Sequence, residues 1–279
     1  MSCLALAIAV KGEWDVVQLV DELRLAGVPI NAEVHIACDP QFVPANPPQS
    51  LSIHCAPGAS LFELWGLAIS ASTASWVAVL HADAPPAPGW FAAMTREIER
   101  EGWSDGYWGP VEPRPRISSD RMLGYLTEYC QFHRPLESGL REVPGSNLIL
   151  PRERFGESKT FSKTSLLQEG LSPRFLEDAA ALYARRNRFG EYCRRRFRHA
   201  RAYAATRSPR ISLLQAVPLS IALPFVRTGR VLRHAFRLKK LRGAGLRLLP
   251  AIFLAETCWS AGEFVGYLTR RPGNLAALD

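Results

Sequence analysis

The 279-residue chain has no CxxC pair, no GxGxxG turn after its first apolar run, and no clean apolar stretch of membrane-spanning length. Each absence excludes something. The six cysteines (3, 38, 55, 130, 193 and 258) are scattered, which argues against a zinc site or a disulfide framework and for a reducing compartment. Without the dinucleotide glycine pattern in the first strand–helix turn, NAD or FAD is not expected. Residues 211–226 are apolar but interrupted by Pro218 and Pro224, and residues 248–268 contain Glu256 and Glu263. Neither reads as a transmembrane span of about 20 apolar residues. The first apolar run has no basic flank before it and reads as a strand, not a signal peptide. Acid is scarce in one region. Of 34 Lys and Arg residues, 18 fall in residues 185–247, where Glu191 is the only one of 26 acidic residues. That asymmetry points to an anionic partner. No helix-turn-helix, zinc-finger or RNA-recognition pattern accompanies it, so a membrane surface or phosphorylated substrate is expected rather than nucleic acid.

What is present is an alternation of apolar runs and helical spacing. Residues 4–10, 34–38 and 76–80 read as buried strands, and 106–111 as another. Residues 13–27, 61–74, 90–100, 122–133 and 175–189 read as helices, the last terminated by Gly190. Such alternation predicts an open, mostly parallel sheet flanked by helices. Residues 156–171 are polar and weakly patterned, as in a loop. Beyond residue 208 the character changes: apolar segments flank the basic helical stretch 227–247, which fits helices lying in a membrane interface. The expected division is therefore an α/β domain over 1–208 and a helical membrane-associating region over 209–279.

The chemistry concentrates after the third buried run, in His81-Ala82-Asp83. A carboxylate at the carboxyl end of a strand in an open sheet stands where such sheets bind ligands. It can hold Mg²⁺ or Mn²⁺ against phosphates, because these ions need only one or two protein carboxylates there. A turn-forming Asp is the alternative, and His81 can equally be packed or hydrogen-bonded. Asp39 ends the second strand before Pro40. Glu177-Asp178 and the turn Gly145-Ser146-Asn147 complete the polar candidates. Arg185 and the Arg194–Arg201 run supply positive charge, most of it expected to be solvated or to face lipid phosphates. Trp65, Trp90, Trp103 and Trp108 could stack on sugars, with core packing the default.

Four segments, in order, resemble family 2 glycosyltransferases of the GT-A fold. They are 66–71 leading to 77–83 and Pro88-Gly89-Trp90; 125–129 followed by 143–148; Phe175-Leu176-Glu177-Asp178 continuing to Arg185; and 249–268. The resemblance implies that Asp83 is the last acid of an Asp-x-Asp motif and holds a divalent cation on the donor diphosphate. His81 replaces the first acid, which implies weakened metal dependence or a preference for Mn²⁺. Asp39 then looks like the base-recognising acid, and Gly145 and Asn147 like the turn beside the donor sugar. Asp178 looks like the general base that takes a proton from the acceptor hydroxyl, with Glu177 orienting it.

The expected protein is a GT-A-like inverting glycosyltransferase using a nucleotide-sugar donor and a saccharide or lipid-linked acceptor. It is expected to be cytoplasmic and peripheral on the anionic inner face of a membrane. The alternative is a catalytically degenerate relative acting as a membrane-associated binding or scaffold protein.

Overall fold

Seven consecutive residues of β1 (Leu4–Val10) are all buried, as a strand covered on both faces requires. Each of its large aliphatic side chains contributes about 1.5–3 kcal/mol of burial. The computed structural model describes residues 3–11, 15–100, 105–137, 142–156, 160–161, 170–186, 188–207, 212–271 and 273. The chain forms two units, one of Met1–Arg114 with Phe132–Ala184 and the other of Pro115–Gln131 with Arg185–Asp279.

In the first unit, α1 (Val16–Leu25) follows β1, and β2 (Val34–Cys38) and β3 (Ser52–Cys55) precede α2 (Leu61–Ala71). Ser60 caps α2 in a reciprocal box with Glu63, which satisfies two of its exposed N–H groups. β4 (Trp76–His81), α3 (Trp90–Arg100), β5 (Tyr107–Trp108), β6 (Val111–Pro113), β7 (Leu148–Pro151), β8 (Arg174–Phe175) and β9 (Ala181–Tyr183) complete the unit. The main sheet has the order β3-β2-β1-β4-β7-β5-β8, and β6 pairs with β9 separately. Among the described strands of the main sheet, β7 alone runs antiparallel to its neighbours. The expected architecture, an open and mostly parallel sheet flanked by helices, is the one observed.

The second unit is helical. It contains α4 (Ser119–Glu128), α5 (Phe189–Arg207), α6 (Leu213–Arg237), α7 (Lys239–Arg247) and α8 (Leu249–Thr269). α5 and α8 cross closely because α8 presents Gly262 and Gly266. A β-carbon there would lie 2.1 Å from the Phe197 carbonyl and 2.4 Å from that of Arg201, respectively. Glu256 of α8 is fully buried between Arg196 and Arg227, whose guanidinium carbons stand 4.3 and 4.4 Å from the Trp259 ring centre. Arg195 pairs with Glu128 at 3.2 Å. Two arginines expected at the surface, Arg195 and Arg196, are thus buried anchors. Among the described residues no single helix is long and apolar enough to cross a membrane. α7 and α8 together pass that test of length and composition, but they are bent by 74°.

Several sequence expectations are corrected. The helix expected over 175–189 is replaced by β8, β9 and a connecting turn, and Gly190 lies inside α5. Backbone bonds from Ala87 to Ala180, Leu182 to Pro85 and Ala184 to Asp83 hold the segment extended, so pairing overrides the helical propensity of its alanines. The strand expected over 106–111 is broken at Gly109, where a β-carbon would come within 1.8 Å of the Ala179 carbonyl. The sequence places a boundary at residue 208. In the structure α5 belongs with α8, through the glycine contacts above. Most of the 156–171 loop, and Trp103, lie outside the described residues.

Candidate functional site

The carboxyl ends of β1, β2, β3 and β4 lie level along one edge, since Val10 pairs with Cys38, Cys38 with Cys55 and Ala9 with His81. β1 leads through α1 to β2 on one side, whereas β3 leads through α2 to β4 on the other. The direction of winding therefore reverses between β1 and β4, and such switch points open a crevice at the strands' carboxyl ends. Lys11 follows β1 and Asp83 follows β4 by two residues, so both stand at this edge. Asp39 follows β2.

Each side chain there has a distinct environment. Asp83 is about one-third exposed. His81 is buried, edge-on to Trp65, whose indole N–H donates to the Leu80 carbonyl at 2.6 Å. The Asp83 backbone N–H donates to His81 Nδ1 at 3.0 Å, which in the neutral ring puts the proton on Nε2. The Nδ1 lone pair is therefore committed and unavailable to a cation. Of the two metal ligands implied by the resemblance, Asp83 fits and His81 through Nδ1 does not. Among the described residues, no group of three or more His, Cys, Asp or Glu side chains could hold a metal by itself.

Asp39 accepts the Gly58 N–H at 2.9 Å and the Gln41 N–H at 3.2 Å. These bonds, Gly58's first, hold its carboxyl below the usual carboxylate range, and the Lys11 charge adds to them. The same residue thus fixes the turn and leaves a partly exposed anion at the edge. Lys11, for which the sequence offered no motif, donates to the Ala59 carbonyl at 2.5 Å. Its only sequence signal is its position directly after a buried strand.

Asn147 is not placed for donor contact. It is fully buried, adopts a left-handed backbone conformation with φ of 63°, and accepts the Trp90 indole N–H at 2.7 Å. Its amide donates to the Pro110 and Ala179 carbonyls at 3.0 and 2.8 Å. Both amide protons are spent on the scaffold. Gly145 has open space where a β-carbon would be, so packing does not require glycine there. Trp65, Trp90 and Trp108 are core residues, each no more than 5% exposed.

Glu177 and Asp178 are exposed. Asp178 is 79% exposed and lies 3.9 Å from Arg96 of α3. Arg134 donates to the Glu177 carbonyl at 3.0 Å and holds Glu112 of β6 through two bonds of 2.7 and 3.0 Å. The ladder from Asp83 opposite Ala184 to Ala87 opposite Ala180 spans roughly 13 Å, and Asp178 lies two residues further on. Asp83 and Asp178 therefore lie towards opposite ends of this ladder.

No family model matches the chain, and no curated protein matches it in sequence. Among solved structures it is similar to S. aureus TarS 1–349 in complex with UDP, at 12% identity and a TM-score of 0.47, over 93% of this chain and 90% of that one. S. aureus TarS 1–349 in complex with UDP-GlcNAc matches at 11% identity and a TM-score of 0.46, with the same two coverages.

Proposed function

We propose that the chain is an inverting glycosyltransferase that binds a nucleotide-activated sugar at the carboxyl edge of the sheet, between β1 and β4. The acceptor is a saccharide or lipid-linked hydroxyl compound of envelope or polysaccharide synthesis. The observation that carries this reading is the placement of Asp83: an accessible carboxylate just beyond a buried strand, at the reversal of winding, with Lys11 and Asp39 on neighbouring strand ends.

Asp83 would hold Mn²⁺ or Mg²⁺, which supplies positive charge for the departing diphosphate. One carboxylate suffices where phosphate oxygens and water complete the shell. Asp39 is assigned to the nucleoside end, where its partly exposed anion can accept from a base. Glu177 and Asp178 are assigned to the acceptor hydroxyl, and the donor sugar must reach along the 83–87 ladder towards them.

The helical unit is assigned to an anionic, cytoplasmic membrane face. α6 exposes Leu214, Val217, Ile221 and Phe225, spaced to form one stripe. The same helix carries exposed Arg230 and Arg233, followed by Lys239, Lys240 and Arg242 on α7. Each cation near such a surface contributes about 1 kcal/mol. Replacing Ile221 and Phe225 by Asp is expected to abolish flotation with vesicles containing anionic lipid, whereas retained flotation would remove this assignment.

Binding and turnover of UDP-, GDP- and dTDP-sugars with Mn²⁺ test the enzyme reading. Asp83→Ala is expected to weaken donor binding at least tenfold. Asp178→Asn is expected to leave binding intact and slow turnover by roughly 10²–10⁴-fold. If no sugar nucleotide binds, the reading fails. Binding without turnover would favour the second reading, a GT-A-like binding or scaffold protein, to which the committed Nδ1 of His81 lends support.

A further inference from the structure

The helical unit holds a cavity of about 470 Å³ lined by Cys193, Arg194, Phe197, Arg198 and Arg201 of α5, with Cys258 and Ala261 of α8 and Gly273. Arg194, Arg198 and Arg201 recur at i, i+4 and i+7, so three guanidinium groups share one helical face. Among the described residues, Arg194 and Arg198 have no hydrogen bond or ion pair, and Arg201 donates only to the Arg271 carbonyl at 3.2 Å. Among the described residues, no carboxylate lines the cavity. This contrasts with Arg195 and Arg196 on the same helix, which are paired to Glu128 and Glu256.

The walls between these cations are apolar or soft. Phe197 and Ala261 contribute carbon. Cys193 and Cys258 hydrogen-bond each other, and burial together with that neighbour pushes the Cys193 thiol up to about 11. The Cys193 thiol is therefore neutral lining at physiological pH. The volume lies in the range of sites that enclose a small organic ligand, well beyond the needs of an inorganic anion alone. Guanidinium forks match phosphate oxygens in pairs.

We propose that this cavity binds an organic phosphate monoester or diphosphate whose apolar body lies against Phe197, Ala261 and the two thiols, with its phosphate held by Arg194, Arg198 and Arg201. The site is made by α5 and α8 and uses none of the sheet-edge residues. Its ligand binding is therefore measured separately from sugar-nucleotide binding, and either can fail without the other.

The test is calorimetric titration of the full chain with decyl phosphate below its micellar concentration and, in parallel, with inorganic phosphate. Decyl phosphate is expected to bind one to one and at least tenfold more tightly than inorganic phosphate. Arg194→Gln combined with Arg198→Gln is expected to weaken it at least tenfold. Arg24→Gln with Arg188→Gln removes the same charge elsewhere and is expected to change nothing. Ala261→Phe fills the cavity without altering charge and is expected to weaken decyl phosphate while sparing inorganic phosphate. Flotation with phosphatidylcholine vesicles, with or without phosphatidic acid, identifies the source. Loss of phosphatidic acid-dependent flotation in the double arginine variant assigns the site to a lipid headgroup, and unchanged flotation assigns it to a soluble phosphate ester. Absence of saturable decyl phosphate binding, or equal weakening by the two charge-removing pairs, overturns the proposal.

Discussion

Asn147 ties together three separate segments of the first unit. Its side chain closes three hydrogen bonds among Trp90, Pro110 and Ala179, and its backbone N–H donates to the Val79 carbonyl at 2.8 Å. A buried partner left unsatisfied costs about 1–3 kcal/mol. Asn147→Ala is therefore expected to cost about 3 kcal/mol or more in urea denaturation, with donor affinity of the folded fraction unchanged. A stable variant with impaired donor binding would return Asn147 to the site. His81 makes a second test at this scale. His81→Asp sets a carboxylate beside Asp83 in a buried position, where like charges repel. The variant is expected to melt at lower temperature than the parent and to be stabilised more by Mn²⁺ than the parent is. An identical Mn²⁺ response in both proteins would argue against a cation at Asp83. The Gly-x-Asn turn was visible in the sequence, but its role was not, because Trp90 and Ala179 lie 57 and 32 positions away.

At the scale of the element, α6 shows how proline is accommodated inside a helix. Pro224 has no N–H, so the Ser220 carbonyl loses its usual donor. The Ser260 hydroxyl on α8 donates to that carbonyl instead. Ser260→Ala is expected to cost about 1–2 kcal/mol. In a Pro224→Ala background the cost should shrink towards zero, because alanine restores the backbone donor. A double-mutant cycle with no coupling would refute this account. The two prolines made 211–226 look like a broken segment, and the sequence separated it from the basic stretch that follows. The structure joins residues 213–237 in one helix because α8 supplies the missing partner.

At the scale of the whole molecule, the helical unit holds a source of pH dependence. Burial drives the His199 imidazole down to about 4, against the opposing charge of Glu128, with Arg195, Arg196 and Arg185 adding to the fall. Glu128 is held below its ordinary value by Arg195 first among its charged neighbours, although burial opposes this. The unfolded chain binds the histidine proton near pH 6.5, the folded chain only near 4. Stability is therefore complete above about pH 6.5 and falls as the pH drops towards 4. From pH 6.5 to 5 this amounts to about 2 kcal/mol. Scanning calorimetry should show Tm lower at pH 5 than at pH 7, and His199→Gln should flatten that dependence. An unchanged slope in the variant would assign the effect to other groups.

The strands β1, β2 and β4, the helix α3 and the position of Asp83 could all be read from the sequence alone. Each is encoded by a contiguous apolar run or a local period, and burial of that pattern needs no knowledge of the partner. Other outcomes belonged to the tertiary structure: the extended fate of residues 180–184, the burial of Arg195 and Arg196, the closed environment of Asn147 and the placing of Asp178 beyond the far end of the ladder from Asp83. All four depend on hydrogen bonds or ion pairs between residues distant in the chain. Such pairing energies exceed local propensity but leave no local pattern in the residues that make them.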